Sequence, residues 1–157
     1  MSPKQSGTKQ IATNKKAFHD YYVLERFEVG VELYGTEVKS IRQGAVNLRD
    51  SYCMVKDGEL FMRGVHISPY EKGNIFNRDP MRPRRLLMHK REISRLDAKV
   101  SREGFTLIPL SLYFSDSRVK VELGLCKGKK LHDKRDAAAE ADAKRDMEMS
   151  MKTRNRQ

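Results

Sequence analysis

The segment from Arg78 to Arg91, "RDPMRPRRLLMHKR", sets Arg78, Arg82, Arg84, Arg85, Lys90 and Arg91 against a single carboxylate, Asp79. Pro80 and Pro83 fix φ at two points and stiffen whatever loop carries these cations. Planar guanidinium groups on a stiff loop suit a ligand rich in phosphates. A second basic run follows later in the chain, where Lys129, Lys130, Lys134 and Arg135 cluster around His132 and Asp133. The whole protein carries a formal net charge of +11 with a sequence pI of about 9.8, which makes a polyanion the first partner to expect.

Other side chains add specificity to that charge. Tyr21, Tyr22 and Tyr70 stand among polar neighbours, so they are the aromatics expected on the surface as base-stacking platforms; the remaining aromatics are expected in the core. Glu28 and Glu37 are ordinary surface carboxylates on one reading. On the other they accept hydrogen bonds from base amino groups or from RNA 2′-hydroxyls, where a cation loses selectivity.

Catalytic constellations are missing from the sequence. It holds no Gly-rich phosphate loop, no His-Glu-x-x-His, no nucleophile elbow and no paired-cysteine zinc spacing. Cys53, Cys126 and His66 are read as core or rim residues, so neither a metal nor a cofactor is expected. With no apolar leader and no run long enough to span a bilayer, the expectation is a cytoplasmic protein with reduced thiols and no membrane partner, acting as a monomer.

The elements that must position these groups read mostly as short strands. Residues 1–13 are rich in Ser, Gly, Thr and Lys and are expected to be flexible. "NKKAFHDYY" suits a short basic helical turn. Val29, Val31 and Leu33 alternate with polar neighbours as a strand does, and Val38 and Ile41 then indicate a helix stopped by Gly44. Asp57-Gly58 between two β-rich runs predicts a tight hairpin. Leu86, Ile93, Leu96 and Val100 fall at helical spacing ahead of Gly104. "FTLIPLSLYF" and "RVKVELGL" form a further hairpin around "SDS", with Pro109 predicting an edge position or a bulge. About six strands with two to three flanking helices give a mainly β fold, an OB-like antiparallel barrel over residues 14–126. Residues 127–157 form a basic tail. From Lys129 to Met151 this tail has no Gly, Pro, Val or Ile, and its Ala-rich stretch favours helix. Its apolar stripe of Ala139, Ala143, Met147 and Met151 is too thin to dock firmly, so the tail is expected to be disordered when free.

Seven stretches in order, "GTEVKSIRQG", "NLRDSY", "DGELF", "ISPY", "DPMRPRRLLMHKREI", "REGFTLIPLSLYF" and "KGKKLHDKRD", make the chain resemble the SsrA-binding protein (small protein B) family, the bacterial partner of transfer-messenger RNA. The resemblance runs from about Asn14 to Asp136, with a tail of matching length. It implies an OB-like barrel that binds the tRNA-like domain of that RNA and supports its alanylation. It also implies delivery of the RNA, with elongation factor Tu and GTP, to stalled ribosomes for trans-translation. Alanyl-tRNA synthetase and the elongation factor would be met only through the RNA. Asn14, Glu28 and Leu87 fall on the family's RNA-binding positions, with Lys15, Lys16, His19, Tyr21, Lys39, Arg82, Arg84 and Arg85 as neighbours. Gly128, Lys129, Lys130, His132, Asp133, Lys134 and Arg135 fall on the tail elements that lie at the ribosomal decoding centre, the rest of the tail becoming helical in the empty mRNA channel. The alternative from the residues alone is a general single-stranded RNA-binding OB protein; a hydrolase acting on RNA lacks its residues.

Overall fold

The computed structural model describes residues 8–71, 77–132 and 134–135. Nine strands and three helices alternate along them. In chain order they are β1 (Thr8–Thr13), α1 (Lys15–Asp20), β2 (Tyr21–Val31), α2 (Gly35–Arg42), β3 (Val46–Asn47), β4 (Tyr52–Lys56), β5 (Glu59–Arg63), β6 (His66–Ile67), β7 (Arg84–Leu87), α3 (Lys90–Glu103), β8 (Thr106–Ser115) and β9 (Arg118–Gly128).

Every pairing is antiparallel. Strands β8, β4, β5, β7, β2 and β9 follow one another in hydrogen-bonding order, and β9 pairs back onto β8, so six strands close into a barrel. Closure removes the unpaired edges that an open sheet of this length exposes. The predicted OB-like, mainly β architecture is therefore present, with three flanking helices.

Inward positions of the strands meet in one core: Val29, Leu60, Met62, Leu86, Leu107, Leu112, Val121, Leu123 and Leu125, joined by Ile41 from α2 and by Ile93 and Leu96 from α3. Helix α3 ends at Gly104, whose φ of 72° lets its N–H reach Val100 O. The β4–β5 turn uses Asp57 and Gly58, both with positive φ, as the Asp-Gly pair predicts. A smaller cluster lies outside the barrel wall, where α1 lays Ala17 and Phe18 over Ile108, Leu110 and Cys126. Gly124 permits this outer layer: a Cβ there would sit 2.7 Å from Leu110 Cδ1.

Two expectations change, and one of two alternatives is met. Residues 8–13, counted as part of a flexible segment, form β1 along β8, because Ile11 and Ala12 find core neighbours. Leu86, placed on a helix by its spacing to Ile93, lies in β7; that strand alternates Arg84 and Leu86 inward with Arg85 and Leu87 outward, and α3 begins only at Lys90. Pro109 sits at the predicted bulge, where register shifts between Pro109 and Ser111, yet β8 is an inner strand of the ring rather than an edge. The tail beyond Arg135 lies outside the described residues.

Candidate nucleic-acid interface

At one end of β2, Asn14 fixes helix α1. Strand β8 pairs with β1 along its later half and with β4 at Leu107, and Asn14 occupies the gap between those two partners. Its main-chain N–H donates to Leu110 O at 2.8 Å. Its Nδ2 donates to Leu48 O and Pro109 O, both at 3.2 Å, and its Oδ1 accepts from Ala17 N–H as an N-cap. Buried to 4% exposure with both amide atoms engaged, Asn14 holds α1 in place; the exposed cations are its neighbours Lys15 and Lys16, with His19 one turn on. Lys16 is paired to Asp50 at 2.6 Å.

The tail leaves the barrel beside α1. Strand β9 continues to Gly128, opposite Tyr21, so the tail begins two residues later than the expected boundary. Lys129 N–H donates to Asp20 O at 2.9 Å, and its ammonium stands 5.1 Å from the centre of the exposed Tyr22 ring. Leu131, His132, Lys134 and Arg135 are helical, and Lys134 Nζ lies 3.6 Å from Asp20 Oδ1. A hydrogen bond from His19, with the Lys134 charge behind it, holds the Asp20 carboxyl below the ordinary aspartate range. Tyr21 is not the exposed platform expected, because its ring packs half-buried on the outer cluster; Tyr22 is the exposed one.

Further along β2, Glu28 and Leu87 come together. Gly30 pairs with Leu87 in register, and both line an open groove with Arg26, Glu28, His89 and Lys120. Gly30 keeps the groove shallow: a Cβ there would press to 3.3 Å from the Leu87 side chain. Leu87 is 45% exposed and presents an apolar face in a groove with Arg26, Glu28, His89 and Lys120. Tyr113 Oη donates to Glu28 Oε2 at 2.5 Å and orients it, and Glu28 Oε1 has no partner among the described residues. Burial, then the Glu28 charge, push the Tyr113 phenol well above its usual range, so it remains a donor. The groove thus offers an acceptor, an apolar contact and flanking cations, which suits a base edge next to its phosphate.

Beyond the end of β2 the Arg-rich loop wraps around Glu37. This carboxylate is buried at the start of α2 and accepts from Tyr34 N–H at 2.9 Å. Arg82 reaches it through Nε (3.0 Å) and Nη2 (2.5 Å), Arg84 through Nε (2.9 Å) and Nη2 (2.7 Å). Arg84 is fully buried and also donates to Val65 O and Pro80 O, so it cannot touch a ligand. The carboxylate Glu37 is likewise internal, neither a surface charge nor a base acceptor. Arg85 is half-exposed and paired with Glu32 and Glu59. Lys39 is exposed and stands over the Tyr70 ring. Sequence reasoning missed Tyr34, whose exposed ring carries Arg78 and Arg82; its place as the residue capping α2 was the available signal.

Residues 11–153 match the family model described as SmpB protein. The chain belongs to the SmpB family. Its SmpB relatives include the SsrA-binding protein of Clostridium botulinum (strain Hall), 56% identical over 153 residues, with 98% of each chain covered. That of Caldanaerobacter subterraneus subsp. tengcongensis is also 56% identical, over 97% of this chain and 96% of its own. Among solved structures, an SmpB-family neighbour described as "tmRNA-SmpB: a journey to the center of the bacterial ribosome" aligns with a TM-score of 0.65 and 48% identity. It covers 78% of this chain and 87% of its own.

Proposed function

We propose that this protein binds the tRNA-like domain of transfer-messenger RNA and brings it to stalled ribosomes for trans-translation, acting as an adaptor rather than an enzyme. The observation that carries this reading is the meeting of Glu28 and Leu87 in one groove between Arg26, His89 and Lys120. Two positions far apart in sequence, both matching the family's RNA-binding positions, share one surface. The printed names of the relatives, SsrA-binding proteins, and of the tmRNA-SmpB neighbour support the same partner.

The groove and the exposed cations of α1, Lys15, Lys16 and His19, are the RNA-contacting surface, with Lys39 and Arg82 beyond the groove. Asn14 acts by placing α1, Arg84 by placing Arg82 through Glu37. Held in this way, the RNA is alanylated by alanyl-tRNA synthetase and carried with elongation factor Tu and GTP, neither of which needs a direct contact with the protein. The tail residues Gly128, Lys129, Lys130, His132, Asp133, Lys134 and Arg135 then enter the decoding centre. Residues 133–157 as one helix would reach about 37 Å into the vacant mRNA channel at 1.5 Å per residue. The protein works in the cytoplasm as a monomer.

RNA co-purifying with the full-length protein tests this reading when it is sequenced. Transfer-messenger RNA should be the dominant species; a broad population of unstructured RNA would favour the general single-strand binder instead.

A further inference from the structure

Four residues past Gly30, the exposed Tyr34 ring carries two guanidinium groups, Arg78 at 4.0 Å and Arg82 at 4.6 Å from its centroid. Arg82 cannot swing away, since Glu37 holds it through two nitrogens and its Nη1 donates to Pro83 O. Arg78 is different: it is exposed and has no ion pair or hydrogen bond among the described residues. The chain bearing it is pinned where Asn77 exchanges hydrogen bonds of 2.9 and 2.8 Å with the main chain of Tyr70. Over the Tyr70 ring stands Lys39, also without an ion pair among the described residues. Glu37 is taken up by Arg82 and Arg84, and Asp79 Oδ1 accepts from the Met81 N–H at 2.9 Å.

A guanidinium centred 4.0 Å over a tyrosine ring can offer its far face to a base and its N–H groups to phosphate. We propose that Tyr34, Arg78 and Lys39 form a second nucleotide site, separate from the Glu28–Leu87 groove, that takes one unstacked base on the Arg78 guanidinium and the adjoining phosphates on Arg78 and Lys39. It rests on the RNA-binding function above and adds to it a further contact on the same RNA. The two sites are contiguous, because Glu32 N–H donates to Arg85 O at 2.9 Å and Arg82 Nη2 approaches Glu32 O at 3.5 Å between them. From Gly30 to Tyr34 the chain spans about 13 Å at 3.3 Å per residue, roughly two nucleotides of a splayed strand. Glu37 holds Arg82 against the Tyr34 ring and does not touch the ligand.

The test is a titration of the full-length protein with the tRNA-like domain of transfer-messenger RNA over a salt series. Arg78→Ala, at an exposed residue without an ion pair among the described residues, should leave the melting temperature unchanged and weaken binding about tenfold. It should also make the log–log salt slope shallower by about 0.7–0.9, the value of one phosphate contact. Arg78→Lys should restore the slope and recover only part of the affinity, because an ammonium does not stack as a planar fork does. Affinity and slope equal to wild type in Arg78→Ala would overturn the site. Wild-type protein that fails to prefer the tRNA-like domain over unstructured RNA overturns the function instead, and the Arg78→Ala comparison on either RNA still decides the platform.

Discussion

Glu37 answers the problem set by Arg84, a guanidinium with no exposure to water in a barrel of this size. Burial alone would raise the Glu37 carboxyl. Hydrogen bonds from Arg82, the Tyr34 main chain and Arg84 outweigh it and hold the group below its ordinary value of 4.5. Because the folded-state pKa is depressed, the stability that ionised Glu37 contributes is complete above that ordinary value and is lost as pH falls through the lower one. Acid unfolding should therefore begin earlier, as pH drops below about 4.5, when the pair is intact than in a variant with Arg84 and Glu37 both made apolar. Glu37→Gln leaves Arg84 buried without a counter-charge and should cost about 3–5 kcal/mol in denaturant unfolding. A cost under about 1 kcal/mol would mean the cluster is wet. Asn14→Ala removes an N-cap and two buried bridges at once and should cost about 1–3 kcal/mol. RNA affinity of that variant should fall mainly through displaced α1, and Asn14→Asp, which keeps the cap acceptor but turns a carboxylate oxygen on Leu48 O and Pro109 O, should not restore it. In sequence Arg84 looks identical to Arg82 and Arg85. Only the alternation of β7, which pairs Arg84 with Leu86 on the inward face, sets it apart, and that strand was masked by the helical spacing of Leu86 to Ile93.

At the scale of elements, β2 organises the interface along its eleven residues: the tail root at Tyr21 and Tyr22, the groove at Arg26 to Gly30, and the Tyr34 platform just past its end. The tail root is held to α1 by Lys129 N–H on Asp20 O and by Lys134 on the Asp20 carboxylate. Asp20→Asn should speed amide exchange at Lys134 by no more than a few-fold, as suits a long, partly exposed pair at 3.6 Å, and leave Lys129 unaffected because its acceptor is main chain. Equal acceleration at both amides would show that the carboxylate, rather than the backbone, seats the tail. Turn chemistry was legible at Asp57-Gly58, Gly44 and Gly104, which stand where the sequence places them, whereas the positive φ at Asp50 and Gly64 carried no such signal. Strand β1 was not legible, since a Lys/Gln/Thr-rich segment becomes a strand only because β8 offers Ile11 and Ala12 a core to meet.

For the whole molecule, the closed barrel and its helices were readable from strand spacing and hairpin signals, whereas which cations face outward was not, because burial depends on tertiary pairing. In the proposed function labour divides: the barrel surface would select the RNA and the tail would act on the ribosome. Removing residues 129–157 should leave affinity for the tRNA-like domain within about twofold and abolish peptide tagging on stalled ribosomes; a truncate that loses RNA binding contradicts that division. The most direct test of the central claim is a competition titration at one fixed salt concentration, in which unstructured RNA of equal length competes with the tRNA-like domain for the full-length protein. Displacement should need on the order of a hundredfold excess of the unstructured competitor, since non-specific phosphate contacts are shared and the groove contacts are not. Displacement at equal concentration would reduce the protein to a general RNA binder.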